Sequence, residues 1–277
     1  MKLLGVVMEK VHFTEEKATM LATLYGRALD SREADPVLGD HAADEAVRQI
    51  DYDFTKLGMT RDAAVSVVLR AKPIDEWAAE YLAAHPDAIV LHLGCGMDTR
   101  FQRLAPPETV HWYDVDYPEV VALREKLYAA ATNHTNIGTS VVDFGWLDQV
   151  PSDRPALIVA EGLTMYLTAD EGTELVRRLV AKFPSGQLIC DLFSKLGIKA
   201  QKLNTPVRKS GATLIWGVDN PRELERYGLT YVSSLDAGHW TTPAVMARVR
   251  PVTRLQLRML KFVPPLAKMA HIARYRF

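Results

Sequence analysis

The apolar stretch Ala88-Ile89-Val90-Leu91 runs into His92-Leu93-Gly94-Cys95-Gly96-Met97-Asp98-Thr99-Arg100, and no other segment restricts the fold as strongly. A buried strand that ends on Gly-x-Gly lets the backbone turn sharply and come close to a ligand, because a Cβ at either glycine would stand in the way. Three further apolar runs each close on an acid: Trp112-Tyr113-Asp114-Val115-Asp116, Val141-Val142-Asp143-Phe144 and Ile158-Val159-Ala160-Glu161-Gly162. In a parallel sheet the carboxyl ends of the strands share one rim, so these acids are expected to converge on a crevice beside Gly94 and Gly96.

The rest of the pattern agrees with such a sheet. Strand-like runs at Ile89–Leu93, Val110–Val115, Gly138–Val142, Ala156–Ala160 and Gln187–Phe193 alternate with helical stretches after Thr99, from Pro118 to Ala131 and from Ala169 to Phe183. This alternation predicts a Rossmann-like, doubly wound α/β sheet, with Pro118 in a first helical turn that tolerates it. Residues 1–84 read as an N-terminal helical cap. Glu15 to Leu29 is amphipathic, Asp35-Pro36 interrupts it, Ala42 to Ile50 resumes, and Asp75 to Ala84 is a further helix that His85-Pro86 stops. Residues 85–277 form the second unit. Within it the pattern loosens between Lys195 and Arg226, which reads as a helical lid insertion, before strand-like runs return at Leu229–Ser234 and Ile272–Phe277.

With 277 residues, 48% hydrophobic and 24% charged, the chain has room for one large α/β domain and an appended helical part, which excludes a repeat array or a disordered tail. Cys95 and Cys190 are too few for a disulfide framework and lie in strand-like contexts. No stretch has the pattern of a signal peptide or a bilayer span, so a cytoplasmic protein without stable membrane insertion is expected. No metal-ligand spacing is recognisable. The net charge of −1 hides an asymmetry, because no Asp or Glu occurs after Asp236. Basic residues such as Arg250, Arg254 and Arg258 there interleave with Leu255, Leu257 and Met259. A basic amphipathic helix of this kind lies on an anionic membrane or frames an acidic substrate. The plainer expectation is a helix packed on the sheet with its basic face in solvent, its charge helping to attract an anionic small molecule. No aromatic stacking platform accompanies these residues, which argues against nucleic acid as a partner.

Dinucleotide sites use Gly-x-Gly-x-x-Gly, and here Thr99 stands where the third glycine would be. That glycine serves close packing around a pyrophosphate. S-adenosylmethionine has no phosphate and presents a sulfonium, an ammonium, a carboxylate, a ribose diol and an adenine. Acids at strand ends suit that inventory, since carboxylates accept hydrogen bonds from hydroxyls and amines.

Gly94–Arg100, Trp112–Val120 and Glu161–Leu167 resemble the leucine carboxyl methyltransferase family. Leu24–Ala28 with Ile50–Phe54, and Trp216–Leu224, are similar to its bacterial branch of O-methyltransferases tied to polyketide tailoring. The resemblance spans nearly the whole chain. It implies a class I methyltransferase fold with an antiparallel C-terminal edge, S-adenosylmethionine as cofactor and S-adenosylhomocysteine as product. The implied reaction is O-methylation of a carboxylate or hydroxyl on a polyketide-like or aromatic metabolite.

By the same resemblance, Gly94 and Gly96 shape the turn against the methionine portion, and Glu161 lies at that end too. Asp116 or Asp114 binds the ribose diol, the pattern favouring Asp116, although either acid would also serve as a helix N-cap. Asp143 with Phe144 grips the adenine. Arg70, at the end of Val65-Ser66-Val67-Val68-Leu69, resembles the arginine that clamps the cofactor carboxylate with its planar fork. Ala71-Lys72-Pro73 follows where the family has arginine-threonine, so a surface arginine on a helix is the competing reading. Tyr166 is the candidate for touching the acceptor or the transferring methyl, with a core aromatic as the alternative.

Methyl transfer from a sulfonium is mostly positioning work. No histidine is tied to a carboxylate motif, which favours a carboxylate acceptor over a phenol that needs a base. A protein C-terminal leucine methyltransferase, a nicotinamide oxidoreductase and a non-catalytic cofactor-binding protein are the rival readings.

Overall fold

A computed structural model describes residues 9–10, 15–201, 208, 211–241, 246, 249–260 and 262–277. Seven strands form one sheet: β1 (Ile89–Leu93), β2 (His111–Asp116), β3 (His134–Gly138), β4 (Ala156–Ala160), β5 (Gly186–Phe193), β6 (Thr230–Asp236) and β7 (Ala270–Arg276). Their order is β3-β2-β1-β4-β5-β7-β6. The neighbours from β3 to β5 pair in parallel, while β7 runs antiparallel to both β5 and β6. This is the class I methyltransferase topology with its antiparallel edge. Every residue of β1 and β4 is buried, as a central parallel strand covered on both faces requires. The chain moves outward from β1 in one direction through β2 and β3, and in the other through β4 and β5. The crevice between β1 and β4 is therefore the topological switch point.

One face of the sheet packs Leu91, Ile158 and Leu188 against Leu175 and Leu179 of helix α6 (Ala169–Lys182). The opposite face packs Val90, Leu157 and Ile189 against Ile74, Ala78 and Leu82 of α3 (Arg61–Ala84). Helices α1 (Glu15–Ser31) and α2 (His41–Gln49) join Leu24, Ala46 and Ile50 to Met97 and Val120 in a further cluster. Those last two residues lie next to α4 (Arg100–Leu104) and in α5 (Pro118–Leu127) respectively, so the N-terminal helices lie directly over the glycine turn.

Three expectations shift. Helix α3 starts at Arg61 rather than Asp75 and runs through Pro73. The ring forfeits a hydrogen bond to the Leu69 carbonyl, but Pro73 is buried with Ala71 and Ile74, and that burial offsets the loss. The third strand ends at Gly138 instead of starting there. Within β3 only Ile137 is buried, because it is an edge strand, and its polar sequence gave no apolar signal. Of the expected lid, the described residues include α7 (Lys195–Lys199) and a 3₁₀ helix at Pro221–Tyr227, with 212–218 free of regular secondary structure, while 202–207 and 209–210 lie outside the described residues.

Two short helices, α8 (Pro251–Leu260) and α9 (Pro264–Ala267), precede β7. The expected burial of the apolar side of this segment against the sheet is not what the structure shows, since Val252, Leu255, Met259 and Phe262 stand in solvent. Among the described residues no helix is long and apolar enough to cross a membrane.

Candidate active site

A cavity of about 800 Å³ opens at the carboxyl ends of β1, β2, β4 and β5. Gly94 and Gly96 line it with φ of +59° and +51°, the left-handed region that side chains avoid. A Cβ on Gly94 would come within 3.0 Å of Leu163, and one on Gly96 within 3.1 Å of Met20. The turn is thus a cradle that only glycine leaves open.

Asp116 closes β2 and lies on the cavity wall. Its carboxylate accepts the Gly96 and Tyr117 N–H groups, each at 2.7 Å, which leaves further lone pairs for a ligand. Burial outweighs those two bonds and pushes its pKa above the ordinary aspartate value.

Glu161, just past β4, accepts from Arg70 Nε at 2.9 Å on one oxygen and from Arg100 Nη2 on the other. Burial opposes its ionisation, but Arg70 and Arg100 prevail and hold its carboxyl below the usual range. Arg70 reaches the wall from α3 and also donates Nη1 to Asp191 at 3.1 Å. It is therefore neither a surface arginine nor disturbed by the following proline.

Asp191 is the residue that sequence reasoning passed over. It is fully buried in β5, and its other oxygen accepts the Gly162 N–H at 2.7 Å. Its signal was visible: an acid inside Leu188-Ile189-Cys190-Asp191-Leu192 is costly to bury without a partner. Behind the wall, Arg100 donates to Asp75 at 2.6 Å and pairs with Asp98 at 3.1 Å. Arg103 bridges Asp98 and Asp40, at 2.7 and 2.9 Å. This buried lattice of charges joins α2 and α3 to the glycine turn.

Asp114 requires a correction. Its carboxylate is fully buried and shared by Arg124, His92 Nδ1 at 3.0 Å, His134 Nε2 at 2.8 Å and Trp112 Nε1 at 2.9 Å. Burial works against the charge, yet Arg124 and the two histidines hold its pKa well below the ordinary value. With its acceptor sites filled and no place on the cavity wall, it cannot also receive a ribose.

Asp143 and Phe144 are likewise not brought onto the wall, which at this end is made by Val141 and Val142. Asp143 is exposed just beyond Val142, and its carboxylate makes no hydrogen bond among the described residues. The Phe144 ring packs on the core, with the Arg178 guanidinium 4.3 Å from its centroid. Tyr166 does line the cavity, its hydroxyl 3.5 Å from Thr19 Oγ1 of α1.

The far end of the cavity differs in character. Ala63 and Val67 lie on α3 about 10 Å and 5 Å before Arg70, taking 1.5 Å per helical residue. They share the wall with Phe193, Leu214, Ile215 and Trp240. Polar, ion-paired ground thus passes into an apolar chamber along one helix.

The sequence profile of the family described as leucine carboxyl methyltransferase matches residues 18–180. The chain belongs to the leucine carboxyl methyltransferase family. Along nearly its whole length it is similar to the tetracenomycin polyketide synthesis O-methyltransferase TcmP of Streptomyces glaucescens, with 42% identity over 97% of this chain and 99% of that one. The S-adenosyl-L-methionine-dependent methyltransferase dpfgK of Gibberella zeae is 33% identical over 80% of this chain and 82% of its own. A crystal structure of a DUF574 family protein from Streptomyces avermitilis shares the fold, with a TM-score of 0.60 at 15% identity over 95% of this chain and 97% of that one. With the family profile and these two relatives, the protein is an S-adenosylmethionine-dependent O-methyltransferase. The glycine cradle and the available lone pairs of Asp116 fit that cofactor.

Proposed function

We propose that the protein methylates a carboxylate on an apolar, polyketide-like aromatic molecule. In this reading Gly94 and Gly96 bend around the methionine portion, the Arg70 fork receives its carboxylate, and Glu161 faces the same end. Asp116 accepts the ribose hydroxyls, and Asp143 reaches the adenine amine from the rim; Phe144 has no part. Bound there, S-adenosylmethionine supplies a methyl group already activated on sulfur. The work left to the chain is to hold the acceptor in line, with Tyr166 against it, and to keep water out. Within the expected cap (1–84) the described residues 15–84 cover the glycine turn, and within the expected lid (195–226) the described Leu214 and Ile215 cover the acceptor end; residues 1–8, 11–14, 202–207 and 209–210 lie outside the described residues. Two buried free thiols, Cys95 and Cys190, suit the reducing cytoplasm.

One observation carries the choice of a carboxylate. On the described wall near the crevice His92 is held by Asp114 and Arg100, Glu161 by Arg70 and Arg100, and Asp98 by Arg100 and Arg103, while Asp116 is the acid this reading gives to the ribose. A phenol would need one of them as a base, whereas a carboxylate arrives ionised at neutral pH. The apolar chamber and the 42% identical tetracenomycin O-methyltransferase support a polycyclic polyketide acid as its carrier.

The test supplies S-adenosylmethionine with an aromatic polyketide acid, a phenolic analogue lacking the carboxyl, and a peptide ending in leucine, and follows methyl transfer by mass spectrometry. An alkali-labile methyl ester on the aromatic acid is expected. An alkali-stable ether on the phenol, or turnover of the peptide alone, overturns the assignment.

A further inference from the structure

The C-terminal segment before β7 exposes a row of large apolar side chains. Val252, Leu255 and Met259 follow one another at the three- and four-residue spacing that puts them on one face of α8, and Phe262 continues the row. Their fractional exposures are 69%, 62%, 52% and 79%. Thr253 and Leu257, on the opposite side, are half-buried, and Thr253 Oγ1 and Arg250 Nε hold Asp62 at the start of α3 at 2.5 and 2.6 Å. The helix is therefore fastened to the cap by its polar side with its oily side turned outward.

We propose that this face seats the protein on an anionic lipid surface. Charge selects the occupant. From residue 237 to 277 the sequence contains eight Lys and Arg and no acid, and Arg258 and Lys268 are exposed beside the apolar row. A second copy of the chain would bring two such basic segments together. It would also cover only a handful of side chains, where a stable interface takes about 20–30 residues a side. A bilayer with anionic headgroups accepts both features at once, the apolar row entering the acyl boundary and the basic residues meeting the headgroups.

Position gives the docking a use. Asp62, which fastens α8, adjoins Ala63 on the cavity wall, and Ile215 both lines the chamber and is 52% exposed. The acceptor end thus opens near the surface that would face lipid, where the apolar ring system of a polycyclic aromatic molecule partitions. The nature of that acceptor rests on the reading above. The binding test contains neither acceptor nor cofactor, so either idea can fail without the other.

The full chain is sedimented with vesicles of equal parts phosphatidylglycerol and phosphatidylcholine, and with vesicles of phosphatidylcholine alone. Sedimentation with the anionic vesicles, weakened by added salt and slight with the neutral ones, is expected. The double variant Leu255→Glu, Phe262→Ser alters only exposed positions. It should lose about tenfold or more in vesicle affinity, by the burial free energy of two such side chains. Its thermal shift with S-adenosylhomocysteine should stay at the parent value, which shows that the variant is folded. No sedimentation with anionic vesicles, equal binding to neutral ones, or an unchanged double variant overturns the proposal. So does a concentration-dependent dimer, seen without lipid by sedimentation velocity and broken by Leu255→Glu, since a second copy would then own the face.

Discussion

The two ends of the cavity are built by different means. At the cofactor end, strand termini and two glycines of positive φ fix the backbone, and the charged groups behind it are bound to one another. At the acceptor end, the first turns of α3 share a largely apolar wall with residues 211–215, which have no regular secondary structure. A sheet rim preserves a cofactor's geometry, because moving one residue disturbs several strands. An irregular segment against a helix can be re-lined one side chain at a time. On the proposed reading, the acceptor end is therefore the one that single substitutions would alter most easily.

The severest way to break this contrast is to attack the charges behind the rim. Arg100 is fully buried and serves Asp75, Asp98 and Glu161. We expect Arg100→Met to cost about 3–5 kcal/mol in urea unfolding, because it strands buried carboxylates without their cation. A cost below about 1 kcal/mol would show the lattice to be dispensable.

Two aspartates one pleat apart offer a sharper comparison. Asp116→Ala should weaken S-adenosylhomocysteine binding about a hundredfold by calorimetry, through the loss of charged hydrogen bonds worth about 1.5–3 kcal/mol each. The same change should leave the unfolding midpoint nearly intact. Asp114→Ala should do the reverse, lowering stability through its orphaned Arg124 while the folded fraction still binds. Equal losses of affinity in the two variants would sink the assignment of Asp116.

Acid separates the same two groups. Asp116 has a raised pKa, so on lowering the pH it takes up its proton above the ordinary aspartate value of 3.8 and, in the proposed role, stops accepting ribose hydroxyls. Asp114 and Glu161 have lowered values. The stability they contribute is whole above the ordinary carboxylate range and is lost only as pH falls through their depressed values. Cofactor affinity should therefore decline at a higher pH than the fold does. Coincident transitions in a calorimetric and a circular-dichroism titration would contradict this ordering. The mildest effect is expected at the other end. Ala63→Phe should raise the acceptor KM about tenfold by filling the chamber, with S-adenosylhomocysteine affinity unchanged. A parallel loss of cofactor affinity would mean that the two ends are not separate.

Much of the cofactor end was legible, because the rule that ligands gather at parallel strand ends is a rule about sequence order. Gly94, Gly96, Asp116 and Glu161 follow from it, and all four line the cavity. Asp114 and Asp116 could not be separated that way. They project from the same face of β2, and only the three-dimensional neighbours Arg124, His92 and His134 show which one is already spent. The run Val141-Val142-Asp143 looked like a strand because it is apolar, while the actual strand is a polar edge whose pairing depends on β2. The sequence places the start of helix α3 at Asp75, whereas it begins at Arg61 and carries the buried Pro73 within it, because tertiary burial offsets what the ring costs. The acceptor chamber was illegible for a plainer reason. Leu214, Ile215 and Trp240 carry no periodicity that aims them; Leu214 packs on Met165 and is bonded to Gln201, the Ile215 N–H donates to the Met165 carbonyl, and Trp240 packs beside Ile74 and Ala78 of α3.

The position of β7 has a consequence for how the molecule is made. β6 is synthesised earlier, yet it reaches the sheet only through β7, which inserts between it and β5. During translation the apolar flank of β5 therefore waits, unpaired, for a strand more than seventy residues downstream. Contacts of such sequence separation close slowly, and an open edge in the interval invites association between nascent chains. Slowing the ribosome between β5 and β7 would lengthen that interval, which makes yield in the cell sensitive to chaperone supply even where the finished enzyme is stable.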